Sequence, residues 1–261
     1  MLHKQKIPYG NHPSQFGELY MPAGPGPHPI IVTIHGGFWQ SKYDLYENNP
    51  ICHDLASKDF AVWNVEYRRT GEDGGGWTGT FNDVITAVNH LSKLRKTYHL
   101  NTENITIIGH SAGGHLALWL ASRANTAAST ASSVEMFDTL IVPLQKIISL
   151  AGVTDLKQMW KIHKDLGIDS PVAKFIGGSP IEYAGRYKVS SPIELLPKQI
   201  GQILIHGDLD RHVPVELSKT YYNKLKAQNG NVRLVVLNDV EHFGIIDPTS
   251  IAWKSVIHAI L

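Results

Sequence analysis

Short apolar runs alternate with stretches of helical periodicity along most of this chain. Residues 30–34 form a β-branched run of the length of a buried strand. Residues 60–65, 104–108, 146–151, 203–205 and 232–237 repeat that pattern. Between them, residues 46–58 carry apolar positions at helical spacing. Residues 81–98 set Val84, Ile85, Val88, Leu91 and Leu94 on one stripe, which predicts a long amphipathic helix. Residues 116–121, 215–227 and 251–261 complete the helical set. Strand alternating with helix predicts an α/β fold, a mostly parallel sheet of about seven or eight strands with helices on both faces. The expectation is a single domain over residues 1–261.

Three stretches depart from the alternation. Residues 16–21 alternate apolar with polar and run into a Gly/Pro turn at 22–29, which predicts an early antiparallel edge. Residues 123–133, rich in Ala, Ser, Thr and Asn, read as a flexible surface insertion. From 155 to 197 no clean strand appears. Helical pieces broken by Pro171, by Gly177-Gly178-Ser179-Pro180 and by Ser191-Pro192 predict a small cap over the carboxyl edge of the sheet.

The chemistry gathers where predicted strands end. Gly109-His110-Ser111-Ala112-Gly113-Gly114-His115 stands between a strand and a helix, the setting that gives Gly-x-Ser-x-Gly its meaning. A tight turn there pushes the serine into strained geometry, and the flanking glycines remove side chains that would clash. The hydroxyl then stands above the sheet beside the N–H groups of a helix N-terminus. His35-Gly36-Gly37-Phe38-Trp39 follows the 30–34 strand, where backbone N–H groups can serve as half of an oxyanion hole. Acids Asp208 and Asp210 follow the 203–205 strand, and neither is preferred on sequence alone. His242 alone among 14 histidines directly follows the last predicted strand. Ligands of open parallel sheets bind outside the strands' carboxyl ends. These motifs therefore share one predicted site.

Composition narrows the partners. With 43% hydrophobic residues and a net charge of +1 without basic or acidic blocks, the chain points to a small-molecule substrate rather than nucleic acid or a membrane. No apolar run approaches a membrane span. Cys52, the single cysteine, excludes an internal disulfide and suits a reducing compartment. Residues 1–6 lack the apolar core of a signal peptide, so the expected location is cytoplasmic. Gly74-x-Gly76-x-x-Gly79 matches a dinucleotide pattern, but it is set off from its strand and lacks the acidic partner. A mobile loop carrying Trp77 to the site mouth is the better reading. No metal-ligand spacing appears, so neither metal nor cofactor is expected.

Taken together, these motifs resemble the α/β-hydrolase superfamily over nearly the whole chain, in its esterase branch with His-Gly-Gly before the nucleophile. The variant His35-Gly36-Gly37-Phe38-Trp39 with Gly109-His110-Ser111-Ala112-Gly113-Gly114-His115 resembles the kynurenine formamidase (arylformamidase) family, its fungal members in particular. The resemblance implies a triad of Ser111, Asp210 and His242, Asp210 being selected by His-Gly-x-x-Asp. It implies an oxyanion hole from Gly36 or Gly37 with Ala112. Phe38, in place of a commoner third glycine, would narrow the acyl side, and Trp39 and Trp77 would wall the leaving group. The implied reaction is hydrolysis of N-formyl-L-kynurenine to L-kynurenine and formate, in tryptophan breakdown towards NAD. A general short-chain carboxylesterase is the alternative, and a non-catalytic ligand-binding homologue a third reading. Monomer or homodimer is left open.

Overall fold

The computed structural model describes residues 3–124 and 136–261. Of the stretch read as a surface insertion, residues 125–133 lie outside them.

Among the described residues eight strands make one sheet, β1 (His3–Pro8), β2 (Phe16–Met21), β3 (His28–Ile34), β4 (Ala61–Val65), β5 (Leu100–His110), β6 (Leu144–Leu150), β7 (Gly201–Gly207) and β8 (Val232–Leu237). Their order across the sheet is β1-β2-β4-β3-β5-β6-β7-β8. From β4 to β8 every neighbouring pair is parallel, while β1 and β2 run antiparallel at one margin. The central parallel strands are covered on both sides, which is why they read as unbroken apolar runs, while β8 at the far edge is only half-buried. The alternating stretch at 16–21 is not the edge. β2 is sandwiched between β1 and β4, and it is β1, with His3, Lys4 and Lys6 exposed, that closes this side. Its polar sequence hides it from a hydrophobic reading. The same lysines guard an open edge against pairing with another chain.

Among the described residues ten α-helices flank the sheet. They are α1 (Asn49–Ala56), α2 (Gly79–Asn89), α3 (Leu91–Thr97), α4 (Ala112–Ala121), α5 (Leu156–Asp165), α6 (Pro171–Ile176), α7 (Ala184–Ser190), α8 (Pro192–Leu195), α9 (Val215–Ala227) and α10 (Ile251–Ile260). The long helix predicted over 81–98 breaks at His90. The Trp63 indole donates to the Ala87 carbonyl at 3.0 Å, the acceptor that Leu91 N–H would need to continue the first helix. A larger apolar core on one face of the sheet contains α4 whole, Trp63 and Phe175; a smaller one on the other holds Ile51, Leu55, Trp253 and Val256. Between β6 and β7, α5 to α8 pack back on α4. The Trp119 indole donates to Val189 O at 3.0 Å, and His115 Nε2 lies 3.0 Å from Ser190 O. Among the described residues no helix is long and apolar enough to cross a membrane.

Candidate active site

Strand β5 passes into α4 through one residue, Ser111, at φ 55°, ψ −116°. Such a backbone costs a non-glycine residue on the order of 1–3 kcal/mol. Its neighbours hold it there: Ser111 N–H donates to Leu150 O at 2.8 Å, and Ser111 O accepts from His115 N–H at 3.1 Å. The flanking glycines are required by packing. A Cβ on Gly109 would stand 2.1 Å from the Gly113 carbonyl oxygen, and one on Gly113 would stand 2.0 Å from that of Ile34. The turn therefore closes only with glycine at both places.

Asp210 and His242 arrive from the loops after β7 and β8. His242 Nδ1 is 2.6 Å from Asp210 Oδ2. The other oxygen, Oδ1, accepts the N–H groups of His212 and Val213 at 2.8 and 2.9 Å, and His206 Nε2 lies 3.2 Å from Oδ2. Burial alone would raise the carboxyl of Asp210. The hydrogen bonds from His206 and His242, with the charge of His242, outweigh it and hold the group well below the usual carboxylate range. Asp208 instead sits exposed and accepts the N–H of Asp239 at 2.8 Å, holding the turn after β8. Burial brings the imidazole of His242 down to about 4, the Asp210 hydrogen bond opposing and the charges of His110 and His212 adding to the fall. Near neutral pH the ring is thus uncharged. Because a carboxylate only accepts, its single proton is on Nδ1 and Nε2 carries the lone pair.

Ser111 and His242 line one cleft of about 130 Å³, together with Gly37, Phe38, His212 and Phe243. Gly36 lies against the elbow, with an added Cβ 3.1 Å from Ser111 Cβ. Its N–H, however, is taken by Glu47 Oε1 at 3.1 Å. That removes Gly36 from the expected oxyanion donors. Among the described residues none accepts from the N–H of Gly37, and Ala112 opens α4, where the helix provides no acceptor for it. These two donors remain. Phe38 is half-buried at the cleft, its ring edge-on to His163 at 5.5 Å.

The two tryptophans are not at the cleft. Trp39 is fully buried, stacked on Phe175 at 4.4 Å and edge-on to His115 at 5.1 Å. The left-handed backbone of Phe38 and Trp39 sends their rings different ways, one to the cleft and one to the core. Trp77 is tied by its N–H to Phe175 O at 3.0 Å and packs on Phe81, Phe137 and Arg186. Its loop is fastened to α6 and does not reach the site mouth.

Several site residues carried no sequence signal. Glu47 lies in the turn before α1, outside any motif, and meets His110 and Gly36. Tyr43, His212 and Phe243 line the cleft from loops whose apolar or polar character predicts nothing. Glu66 and Tyr67 had one available clue, their place at a strand's carboxyl end. There the Glu66 carboxylate pairs with His35 Nε2 at 2.9 Å and the Tyr67 hydroxyl donates to His35 O at 2.9 Å, fixing the root of the oxyanion loop. Cys52 is buried, and burial pushes its thiol up to about 12, so it is not a second nucleophile. Among the described residues no group of three or more His, Cys, Asp or Glu side chains could hold a metal ion.

The BD-FAE family model matches residues 18–225. Esterase LipC of Mycobacterium tuberculosis is 22% identical over 87% of this chain and 56% of its own length. Kynurenine formamidase of Danio rerio is 22% identical over 92% of this chain and 75% of its own. The chain spans just over half the length of several of the curated relatives it matches. Among solved structures, a truncated carbohydrate esterase from gut microbiota superposes with a TM-score of 0.82 at 20% identity, covering 99% of this chain and 94% of that one. With the eight-stranded sheet, this likeness establishes the α/β-hydrolase fold expected from sequence.

Proposed function

This chain belongs to the BD-FAE family, and on that premise we propose that it is a serine carboxylesterase acting on short-chain acyl esters. The observation that carries this reading is a strained Ser111 sharing a cleft with His242, whose Nδ1 is 2.6 Å from Asp210. In the proposed reaction His242 Nε2 takes the hydroxyl proton as Ser111 Oγ bonds to the ester carbonyl carbon. The carbonyl π pair moves onto oxygen, where the N–H groups of Gly37 and Ala112 face it, each such donor being worth typically ~3 kcal/mol of barrier. Asp210 holds the imidazole in the right tautomer and stabilises its cation. Collapse expels the alcohol, protonated by His242. Water, deprotonated in turn by His242, then releases the acid from Ser111.

The size of the cleft favours short acyl esters over the formamide. The cleft of about 130 Å³ is small beside ordinary ligand pockets of roughly 300–1,000 Å³. The two tryptophans expected to wall a formanilide are not at the cleft, Trp39 being core and Trp77 elsewhere, and the aromatic rings that do line it are Phe38, Tyr43 and Phe243. The names of the relatives lean the same way, most being esterases. Formamide cleavage stays as the second reading on the strength of the Danio rerio formamidase, 75% of whose length this chain covers. The test is a panel of 4-nitrophenyl acetate, butyrate and octanoate with N-formyl-kynurenine, compared by kcat/KM. Acetate or butyrate should exceed octanoate by at least roughly tenfold. Ser111→Ala should fold and lose several orders of magnitude of turnover. A formamide that outruns every ester would replace this proposal with the second reading.

A further inference from the structure

The Glu47 carboxylate joins loops that the triad alone leaves unconnected. Its Oε1 is 2.7 Å from His110 Nδ1 and 3.1 Å from Gly36 N. His110 Nε2 is in turn 3.0 Å from the main-chain carbonyl oxygen of His242. The His110 side chain is 1% exposed, and its ring centroid lies 4.5 Å from that of His242. Burial would raise the pKa of Glu47, but the hydrogen bond and charge of His110, with His35 behind, bring it down to about 2. Glu47 is therefore a carboxylate. A carboxylate and a carbonyl only accept, so both nitrogens of His110 must bear protons. Between the ionised Glu47 on one side and the His242 carbonyl on the other, His110 has an acceptor at each ring nitrogen.

We propose that Glu47 and His110 are positioning residues, a charged brace that locks the oxyanion loop, the nucleophile elbow and the base loop together and sets a fixed positive charge beside His242. The inference rests on the triad reading above. Its geometric consequence is that Glu47, by holding Gly36 N–H, orients the next peptide so that Gly37 N–H is left for the oxyanion. Its electrostatic consequence is that a neighbouring imidazolium disfavours a second positive charge on His242. His242 then stays a free base to lower pH. The charged and titratable groups facing these two rings are Glu47, Asp210 and His212, with His35 reaching Glu47 and His206 reaching Asp210.

Glu47→Gln separates these roles from plain structural support. The amide oxygen in the place of Oε1 still accepts from Gly36 N–H and from His110 Nδ1–H, while loss of the carboxylate lets His110 give up its second proton, so the anchor on Gly36 stays and both charges go, at the cost of the Nε2 contact with His242 O. The acid limb of the rate of Ser111 labelling by diisopropyl fluorophosphate should move up by about half a pH unit or more. The plateau rate should fall by less than it does in Glu47→Ala. Glu47→Ala leaves Gly36 unpaired and should lower the plateau by roughly 10- to 100-fold, with KM for 4-nitrophenyl acetate little changed. A limb that does not move, or moves down, in Glu47→Gln overturns the charge role. Equal plateau losses in both variants overturn the bracing role. Should wild-type label map to a residue other than Ser111, the triad itself fails; label on Ser111 with an unmoved limb sinks the brace alone.

Discussion

At the scale of single residues the site depends on which groups share a proton, and Asp208 and Asp210 illustrate it. Two positions apart in one loop, they are indistinguishable by composition, and only the family pattern preferred Asp210. Placed by the fold, Asp210 meets His242 at 2.6 Å while Asp208 meets a turn N–H. Asp210→Asn would offer His242 an amide in place of an acceptor-only carboxylate and favour the wrong tautomer. Its kcat should fall by about three to four orders of magnitude with KM nearly constant. Asp208→Asn keeps an acceptor for Asp239 and should remain within about threefold. Steady-state kinetics on both variants decides the matter, and comparable losses would remove Asp210 from its role. Ser111 and His242 were legible because their motifs sit at strand ends. Glu47 was not, because one acidic residue in an unpatterned loop gains its meaning only from side chains brought to it by β3, β5 and β8. Trp39 was misread for a related reason: adjacency to Phe38 suggested a shared wall, but the two rings meet edge-on at 6.3 Å with Trp39 fully buried in the core behind Phe38 at the cleft.

At the scale of elements, the loop after β3 is a segment at odds with local preference. Gly37, Phe38 and Trp39 are all left-handed, at φ 91°, 48° and 56°. The last two are unfavourable for side chains with a Cβ, and the Trp39 indole offsets that by burial against Phe175 and His115. Trp39→Ala should cost about 3–5 kcal/mol, and at this chain length lower Tm by roughly 10 °C or more. Trp39→Phe, which keeps an aromatic face on Phe175, should recover most of the loss. If alanine proves harmless, the loop is held by something other than its indole. The central parallel strands and most helices were legible because double-sided burial leaves unmistakable apolar runs. What failed did so for physical reasons that act at a distance. β1 is polar because it is an edge, and the break at His90 comes from the indole of Trp63, 24 residues before its acceptor Ala87.

At the scale of the whole molecule, buried histidines set how stability answers to acid. His115 is fully buried on α4, and burial brings its imidazole down to about 3 even though Ser190 O accepts its Nε2–H. His242 is held near 4. In both, the folded-state pKa is below that of the unfolded chain, so on acidification the unfolded state takes up protons first. Stability is therefore whole above the ordinary histidine pKa and falls as pH drops through the window down to about 3 or 4, by up to about 1.4 kcal/mol per pH unit per group. Glu47 and Asp210 are lowered too, and their contribution, present above the ordinary carboxylate pKa, is lost only at lower pH as it falls towards their folded values. The two windows have the same sign and follow one another. Thermal unfolding followed by circular dichroism should thus show Tm already declining between pH 6.5 and 5, before carboxylates titrate. His115→Gln replaces the imidazole with a group that has no proton to gain but can still donate to Ser190. Whatever its Tm at pH 7.5, the variant should lose less on going to pH 5 than the wild type does. An identical decline in the two proteins would place the acid sensitivity outside α4.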